Sequence, residues 1–344
     1  MTQRTDLQQV LSAWGAGQGQ VRALPGGLIN QTLLVEHPSR GRFVLQRLNP
    51  LFAPEVNEDI DAITRHLAAR GVTTPLLLRT DAGEAWHREG DAVWRALTWV
   101  DGHSLQRLSA PDQAREAGLL LGRFHHALRD LKHEFRARRL GVHDTQRHLA
   151  GLRQAVDARR GHPRHGDIAP QAARILAAAA RLPALPATAE RIVHGDPKAN
   201  NILFSGDGRH AICLIDLDTI APMSLPLELG DAFRSWCNPG GEDDARSGFA
   251  VELLAAGLRG YAAGNRLEPA EAAAIVPAIA TIYIELAARF CADALNESYF
   301  GWDPVRFTSR SHHNQVRAES QLRAAESLES QRALAEAAAR AALE

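Results

Sequence analysis

Lysine is nearly missing from this chain. Among 39 basic residues in a length of 344, only Lys132 and Lys198 are lysines, so the place of each carries information. Cysteine is equally sparse. Cys213, Cys237 and Cys291 are isolated, odd in number and form no CxxC pair, which argues against a zinc site or a disulfide framework. They read as buried thiols in a reducing compartment. Excess charge of either sign is absent too: a net charge of −1 leaves no basic surplus for a nucleic-acid surface. No apolar run is expected to approach the roughly 18 residues of a membrane span. The polar opening from Met1 to Gln9 does not read as a signal peptide, so a cytoplasmic location is the expectation. Repeats and low-complexity linkers are also lacking. What remains is a chain that is 45% apolar and long enough for two lobes.

The stretch from Ile192 to Asp218 organises the rest. A short apolar run (Ile192, Val193) delivers His194-Gly195-Asp196. A second run, Ile202 to Phe204, turns at Ser205 to Gly208, and a third, Ala211 to Ile215, ends in Asp216. Two apolar runs around a Gly-rich turn predict a β-hairpin. Its pairing sets Asn201, at the start of one strand, beside Asp216, at the end of the other, with Asp196 just upstream. Two carboxylates and an amide then meet as hard oxygen donors, the set that suits Mg²⁺. Asp, then Asn five positions later, then Asp after a hairpin is the order in which kinases place a catalytic-loop Asp and Asn and a metal-binding Asp. Lys198 follows Asp196 by two residues. His165-Gly166-Asp167 repeats the tripeptide, but no strand precedes it and Ala172 stands where the asparagine would be, so it is expected to be a loop.

Upstream, Thr5 to Trp14 predicts a short helix, and Gln20 to Leu24, Leu28 to Glu36 and Arg42 to Leu48 predict strands. The first two flank Gly26-Gly27. Glycines let a backbone approach phosphate oxygens, so this turn is a candidate nucleotide cover. Alternation in Phe43 to Leu48 points Val44 and Gln46 to one face and Arg47 to the other. A kinase keeps a phosphate-binding lysine on that strand; here Gln46 holds the place, and the cationic role passes to the metal, to Lys198 or to an arginine. Pro54 to Arg70 predicts a helix, on which Glu58 and Asp61 read first as solvated charges and second as a helix acid near Gln46. Leu76 to Arg79, Glu84 to Arg88 and Asp91 to Val100 complete a sheet of five or six antiparallel strands. Thr98 and Val100, at its exit, are placed to offer backbone groups to an adenine edge.

Past residue 102 the pattern turns helical, over Pro111 to Leu128, Asp144 to Arg160, Ile168 to Leu182, Leu227 to Trp236, Arg246 to Ala263, Pro269 to Asn296 and Val316 to Leu343. Asp231 is expected to accept backbone N–H groups of the His194 loop. Glu285 and Arg289 stand four apart, as a surface pair or, if that face lines the cleft, with Arg289 touching substrate. The fold class is α+β: an N-terminal lobe over 1–102 and a helical lobe over 103–344.

On these residues the chain resembles the aminoglycoside phosphotransferase and choline kinase-like superfamily. The motifs are His194-Gly195-Asp196 with Asn201, and Ile215-Asp216-Leu217-Asp218. Within the superfamily it is most similar to N-acetylhexosamine 1-kinases, through Gly27-Leu28-Ile29-Asn30, Val44 to Asn49, His194 to Asn201, Asp216 to Thr219, Glu285 to Phe290 and His313 to Arg317. The resemblance implies a two-lobed protein-kinase-like fold and ATP- and Mg²⁺-dependent phosphorylation of a sugar hydroxyl, the anomeric one of an N-acetylhexosamine. It also implies roles. Asp196 and Lys198 are catalytic, with Asp196 meeting the acceptor together with Arg289. Asn201, Asp216 and Asp218 hold the metal, and Gly26, Gly27, Asn30, Gln46, Thr98 and Val100 hold the nucleotide. Leu28 departs from the histidine common in that loop, which bears on the choice of sugar. The competing expectations are the same chemistry on an aminoglycoside, choline, homoserine or another sugar, and a nucleotide-binding pseudokinase. The latter typically lacks one of Asp196, Asn201 and Asp216, and all three are present. The partner is a small molecule, neither nucleic acid nor membrane.

Overall fold

The computed structural model describes residues 7–24, 30–137, 142–244 and 246–344. Helix α1 (Leu7–Ser12) precedes β1 (Gln20–Ala23), β2 (Gln31–His37) and β3 (Gly41–Arg47). Helix α2 (Val56–Ala69) then crosses to β4 (Leu77–Leu78), β5 (His87–Glu89) and β6 (Ala92–Thr98). These strands form one antiparallel six-stranded sheet in the order β1-β2-β3-β6-β4, with β5 also on β6. The sheet is covered on both faces. Phe43, Leu45, Trp94 and Ala96 pack with Val10, Leu11 and Trp14 of the first helix and the turn after it. Alternation sends Val93 and Leu97 to the opposite face, into the core that holds Ile60, Ile63 and Leu67 of α2. Two-sided burial explains why β6 is apolar almost throughout, and makes its one charge, Arg95, conspicuous.

The rest is mostly helical, as expected: β7 (His103–Ser104), α3 (Pro111–Leu128), α4 (Thr145–Ala158), α5 (His165–Ala179), β8 (Glu190–Val193), β9 (Ile202–Phe204), β10 (Ala211–Leu214), β11 (Ala221–Ser224), α6 (Leu225–Trp236), α7 (Val251–Gly264), α8 (Pro269–Asn296), α9 (Arg310–Ser330) and α10 (Arg332–Leu343). The predicted hairpin is β9 against β10, antiparallel, with β7 added on its outer edge. A second small ribbon pairs β8 with β11.

Three expectations are corrected here. The second His-Gly-Asp opens α5 instead of forming a loop, because Ile168, Ala172 and Ile175 bury one helical face. The terminal helix is two, broken at Gln331. Finally, α8 is long and apolar enough to cross a membrane by length and composition, with a mean hydropathy of 1.6 over its best window. That window is 89% buried within the protein. Its hydrophobicity belongs to the core, where Ile275, Ile279 and Tyr283 meet Leu229, Phe233 and Trp236. The three cysteines are free and buried.

Candidate active site

His194-Gly195-Asp196 leaves β8 in a tight turn. Gly195 sits at φ +84°, and a Cβ there would run into the carbonyl of Thr219, so this turn needs glycine. The turn is held from three sides. His194 and Gly195 donate their backbone N–H groups to the two oxygens of Glu228, 2.9 Å each. His194 Nε2 bonds the Ile215 carbonyl at 2.9 Å, and Thr219 Oγ1 donates to the His194 carbonyl at 2.9 Å. The expectation that Asp231 accepts those N–H groups is therefore corrected. The acceptor is Glu228, one turn earlier on α6, while Asp231 pairs with Arg234 at 2.9 Å.

The hairpin register sets Leu214 opposite Ile202, and Ile215 N donates to Asn201 O at 2.9 Å, so Asn201 and Asp216 do end side by side. Asn201 Nδ2 donates to the Asp196 carbonyl at 2.8 Å and to its carboxylate at 3.2 Å. Among the described residues that leaves Asn201 Oδ1 as a spare acceptor. Lys198 Nζ reaches the same carboxylate at 2.5 Å. Burial works against the Lys198 charge, but Asp196 and Asp216 outweigh it and hold the ammonium well above its ordinary range. Asp196, Lys198, Asn201 and Asp216 thus form one polar cluster.

Asp216 differs from its neighbours. It is a non-glycine residue in the left-handed region, φ 65° and ψ 61°, a conformation costing about 1–2 kcal/mol and typical of functional sites. Among the described residues no donor reaches its carboxylate. Burial, and then the charge of Asp218, push it up to about 6, against the pull of Lys198. A half-buried carboxylate with no donor, next to a free amide oxygen, is the donor chemistry that fits a divalent cation of the Mg²⁺ type, whose remaining positions go to water and phosphate. Among the described residues there is no cluster of three or more His, Cys, Asp or Glu side chains arranged to hold a metal ion.

Asp218 was expected beside Asp216 on the metal. Its carboxylate takes three donors: Arg95 Nη2 reaches it at 2.9 Å, Arg95 Nη1 also donates to it, and Asn30 Nδ2 donates at 2.5 Å. Two residues expected on the nucleotide belong to the same network. Asn30 spends its amide oxygen on Asn49 N at 2.9 Å. Gln46 gives its amide to Thr32 Oγ1 at 3.1 Å and takes Arg95 Nε at 2.9 Å. On α2 it is Asn57 that faces Arg95, at 3.4 Å. Glu58 pairs with Arg136, and Asp61 with Arg65 and Arg79. At the sheet exit Thr98 is bound to Leu76 through both its backbone N–H and its hydroxyl, whereas among the described residues Val100 has no backbone partner. Gly26, Gly27 and Leu28 lie outside the described residues.

Each acid of the loop 242–244 is paired: Glu242 with Arg234, Asp243 with Arg317, His313 and Arg306, and Asp244 with Arg246. Glu285 does not pair with Arg289. It is buried and takes His143 Nδ1 at 3.0 Å and Thr145 Oγ1 at 2.7 Å. Arg289 lies against Tyr299 and Phe300, 5.9 and 5.6 Å from their ring centroids, and among the described residues no carboxylate neutralises it. Arg95, Glu228 and His143 were not singled out from the sequence. A charge in an otherwise apolar strand, in register with Gln46, was the signal for Arg95. For Glu228 it was an acid among the buried residues of α6.

The model of the phosphotransferase enzyme family (APH) matches residues 20–274. A homoserine kinase of Methylocella silvestris is 29% identical over 266 residues, covering 75% of this chain and 76% of that one. Among solved structures, a microcompartment-associated aminopropanol kinase has a TM-score of 0.63 at 18% identity, covering 94% of this chain and 97% of the other. An amicoumacin kinase in complex with AMP-PNP and Ca²⁺ has a TM-score of 0.63 at 12% identity, covering 93% of each chain.

Proposed function

The chain belongs to the phosphotransferase enzyme family (APH), and from that premise we propose that it transfers the terminal phosphoryl group of ATP to the anomeric hydroxyl of an N-acetylhexosamine. The observation that carries the phosphotransfer reading is the Asp216 carboxylate, without a donor among the described residues, beside Asn201 and Asp196. Asp216 and Asn201 would hold Mg²⁺, which supplies charge neutralisation on the phosphates. Asp196 accepts the proton of the attacking hydroxyl, and Asn201 Nδ2 and Lys198 keep its carboxylate in place. The high proton affinity of Lys198 keeps it cationic throughout, so it offsets charge on the transferred group. Since the transition state is loose, the protein's contribution is mainly positioning and charge stabilisation. Val100, whose backbone groups have no partner among the described residues, is the candidate contact for the adenine edge.

Charge in the acceptor region supports an uncharged sugar over a polycationic antibiotic or choline. The three acids of loop 242–244 are already paired, and among the described residues no carboxylate pairs with Arg289. Homoserine is the second reading, favoured by the homoserine kinase relative and by Arg289, which would suit an amino-acid carboxylate. Release of ADP should be measured across N-acetylglucosamine, N-acetylgalactosamine, glucose, homoserine, choline and kanamycin. The expected result is highest kcat/KM on an N-acetylhexosamine, with an acid-labile product. Turnover confined to homoserine would replace the sugar reading, and no ADP release with any acceptor would remove both.

A further inference from the structure

The sheet of this chain carries no lysine where the metal-nucleotide cleft would use one, yet one strand over it buries an arginine. Arg95 is 1% exposed and Asp218 4%. Charges this deep persist only when fully paired, and these are: Nε goes to Gln46, Nη1 to Asn57 and Asp218, and Nη2 to Asp218. Four of the five guanidinium N–H groups are thus spent, and the group is too enclosed to meet a phosphate. What it does reach is the turn Leu217–Thr219, whose preceding residue is the left-handed Asp216. Asn30 grips the same carboxylate from β2's approach, and its own orientation is set by Asn49 N.

We propose that Arg95 is a positioning residue for the metal-bearing turn: by holding Asp218 from the sheet, it fixes the backbone that presents Asp216 and supplies from β6 the cation that Gln46 lacks. The inference rests on the reading of Asp216 and Asn201 as the metal-holding pair. It assigns Asp218 to the scaffold and not to the ion. It also explains the amide at position 46, where a lysine would confront Arg95 directly across the register, and where glutamine instead offers an oxygen to Arg95 and an N–H to Thr32.

The test is equilibrium binding of a fluorescent ATP analogue, titrated with Mg²⁺, for the wild type, Arg95→Met and the double variant Arg95→Met/Gln46→Lys. Removing a residue that orients a metal ligand costs about 10–100-fold in metal affinity. The Mg²⁺ midpoint of Arg95→Met should rise by that factor while metal-free nucleotide binding stays unchanged. The double variant, with its cation on the paired strand position, should return the midpoint toward wild type. An Arg95→Met protein with the wild-type midpoint overturns the inference. So does a double variant that regains thermal stability but keeps the raised midpoint, since Arg95 would then be a strut only. If Arg95→Met alone does not fold, the double variant decides by the same two outcomes. A wild type whose nucleotide binding ignores Mg²⁺ overturns the underlying reading of Asp216 and Asn201, and the inference with it.

Discussion

Glu228 receives the backbone N–H of His194 on one carboxylate oxygen and that of Gly195 on the other, 2.9 Å each. His125 Nε2 lies 3.4 Å from the first of these oxygens. A helix side chain therefore fixes the turn that aims Asp196. Glu228→Gln keeps the shape but turns one acceptor into a donor that faces an N–H. A buried mismatch of this kind costs about 1–3 kcal/mol, and a displacement of about 1 Å at a reacting group costs on the order of a hundredfold in rate. Urea denaturation should show the stability loss, and kcat should drop with KM for ATP nearly unchanged. A variant as stable and as fast as wild type would mean that the turn holds itself.

Asp196 meets Asn201 Nδ2 and Lys198 Nζ with the same carboxylate oxygen. Asp196→Asn is isosteric and removes the proton acceptor while keeping a polar partner for Lys198. General-base loss costs about 10²–10⁴ in rate. The expected outcome is turnover reduced by about a hundredfold or more, with ATP affinity, measured calorimetrically, close to wild type. Near-normal turnover would take the base assignment away from Asp196.

His143 gives a prediction with a definite pH sign. Burial alone would lower its pKa, but the hydrogen bond to Glu285, the charge of Glu285 and that of Asp231 outweigh burial and raise it above the ordinary 6.5. A raised folded-state value means stabilisation that is complete below the unfolded pKa and is lost as pH rises through the folded one. His143→Gln retains a donor for Glu285 but no charge. Its stability deficit, from urea unfolding at several pH values, should be largest in mild acid and shrink toward alkaline pH. A deficit that grows with rising pH would show that the imidazole is held neutral.

Much of this arrangement was legible in the residues because local signals coincided with tertiary ones. Pro111 and Pro269 each open a helix that runs to its predicted end, Leu128 and Asn296; proline at a first turn and an unbroken apolar face agree there. The β9–β10 hairpin, and with it the meeting of Asn201 and Asp216, followed from two apolar runs and a turn. The failures share a cause. The break at Gln331 interrupts a run of strong helix formers with no glycine or proline to mark it. Strands β7 and β11 are two and four residues long and pair only with segments distant in sequence. That Asp218 and Gln46 share Arg95 as a partner was likewise illegible, because Arg95 lies 123 and 49 positions away. A side chain's chemistry is readable locally, but who reaches it first is decided by the fold.

The helical region also rests on a contact that no side chain makes. Helices α3 and α7 touch through glycines: a Cβ on Gly118 would collide with the carbonyl of Gly257, and one on Gly260 with the carbonyl of Arg115. Neither position has a positive φ, so alanine is acceptable to the local backbone and even favoured by helix propensity, by about 1 kcal/mol. The neighbour, however, is main chain, which cannot rotate aside. Forcing a methyl into such a contact costs about 1–3 kcal/mol or more, so the collision outweighs the propensity gain. Gly260→Ala should lower the thermal midpoint by several degrees, on the order of 2–4 °C per kcal/mol for a chain of this size. Because α7 carries none of the candidate catalytic residues, KM for ATP should stay near wild type at a temperature where the variant is folded. An unchanged or higher midpoint would mean that the two helices separate without loss, and that their close approach is not what holds this part of the protein together.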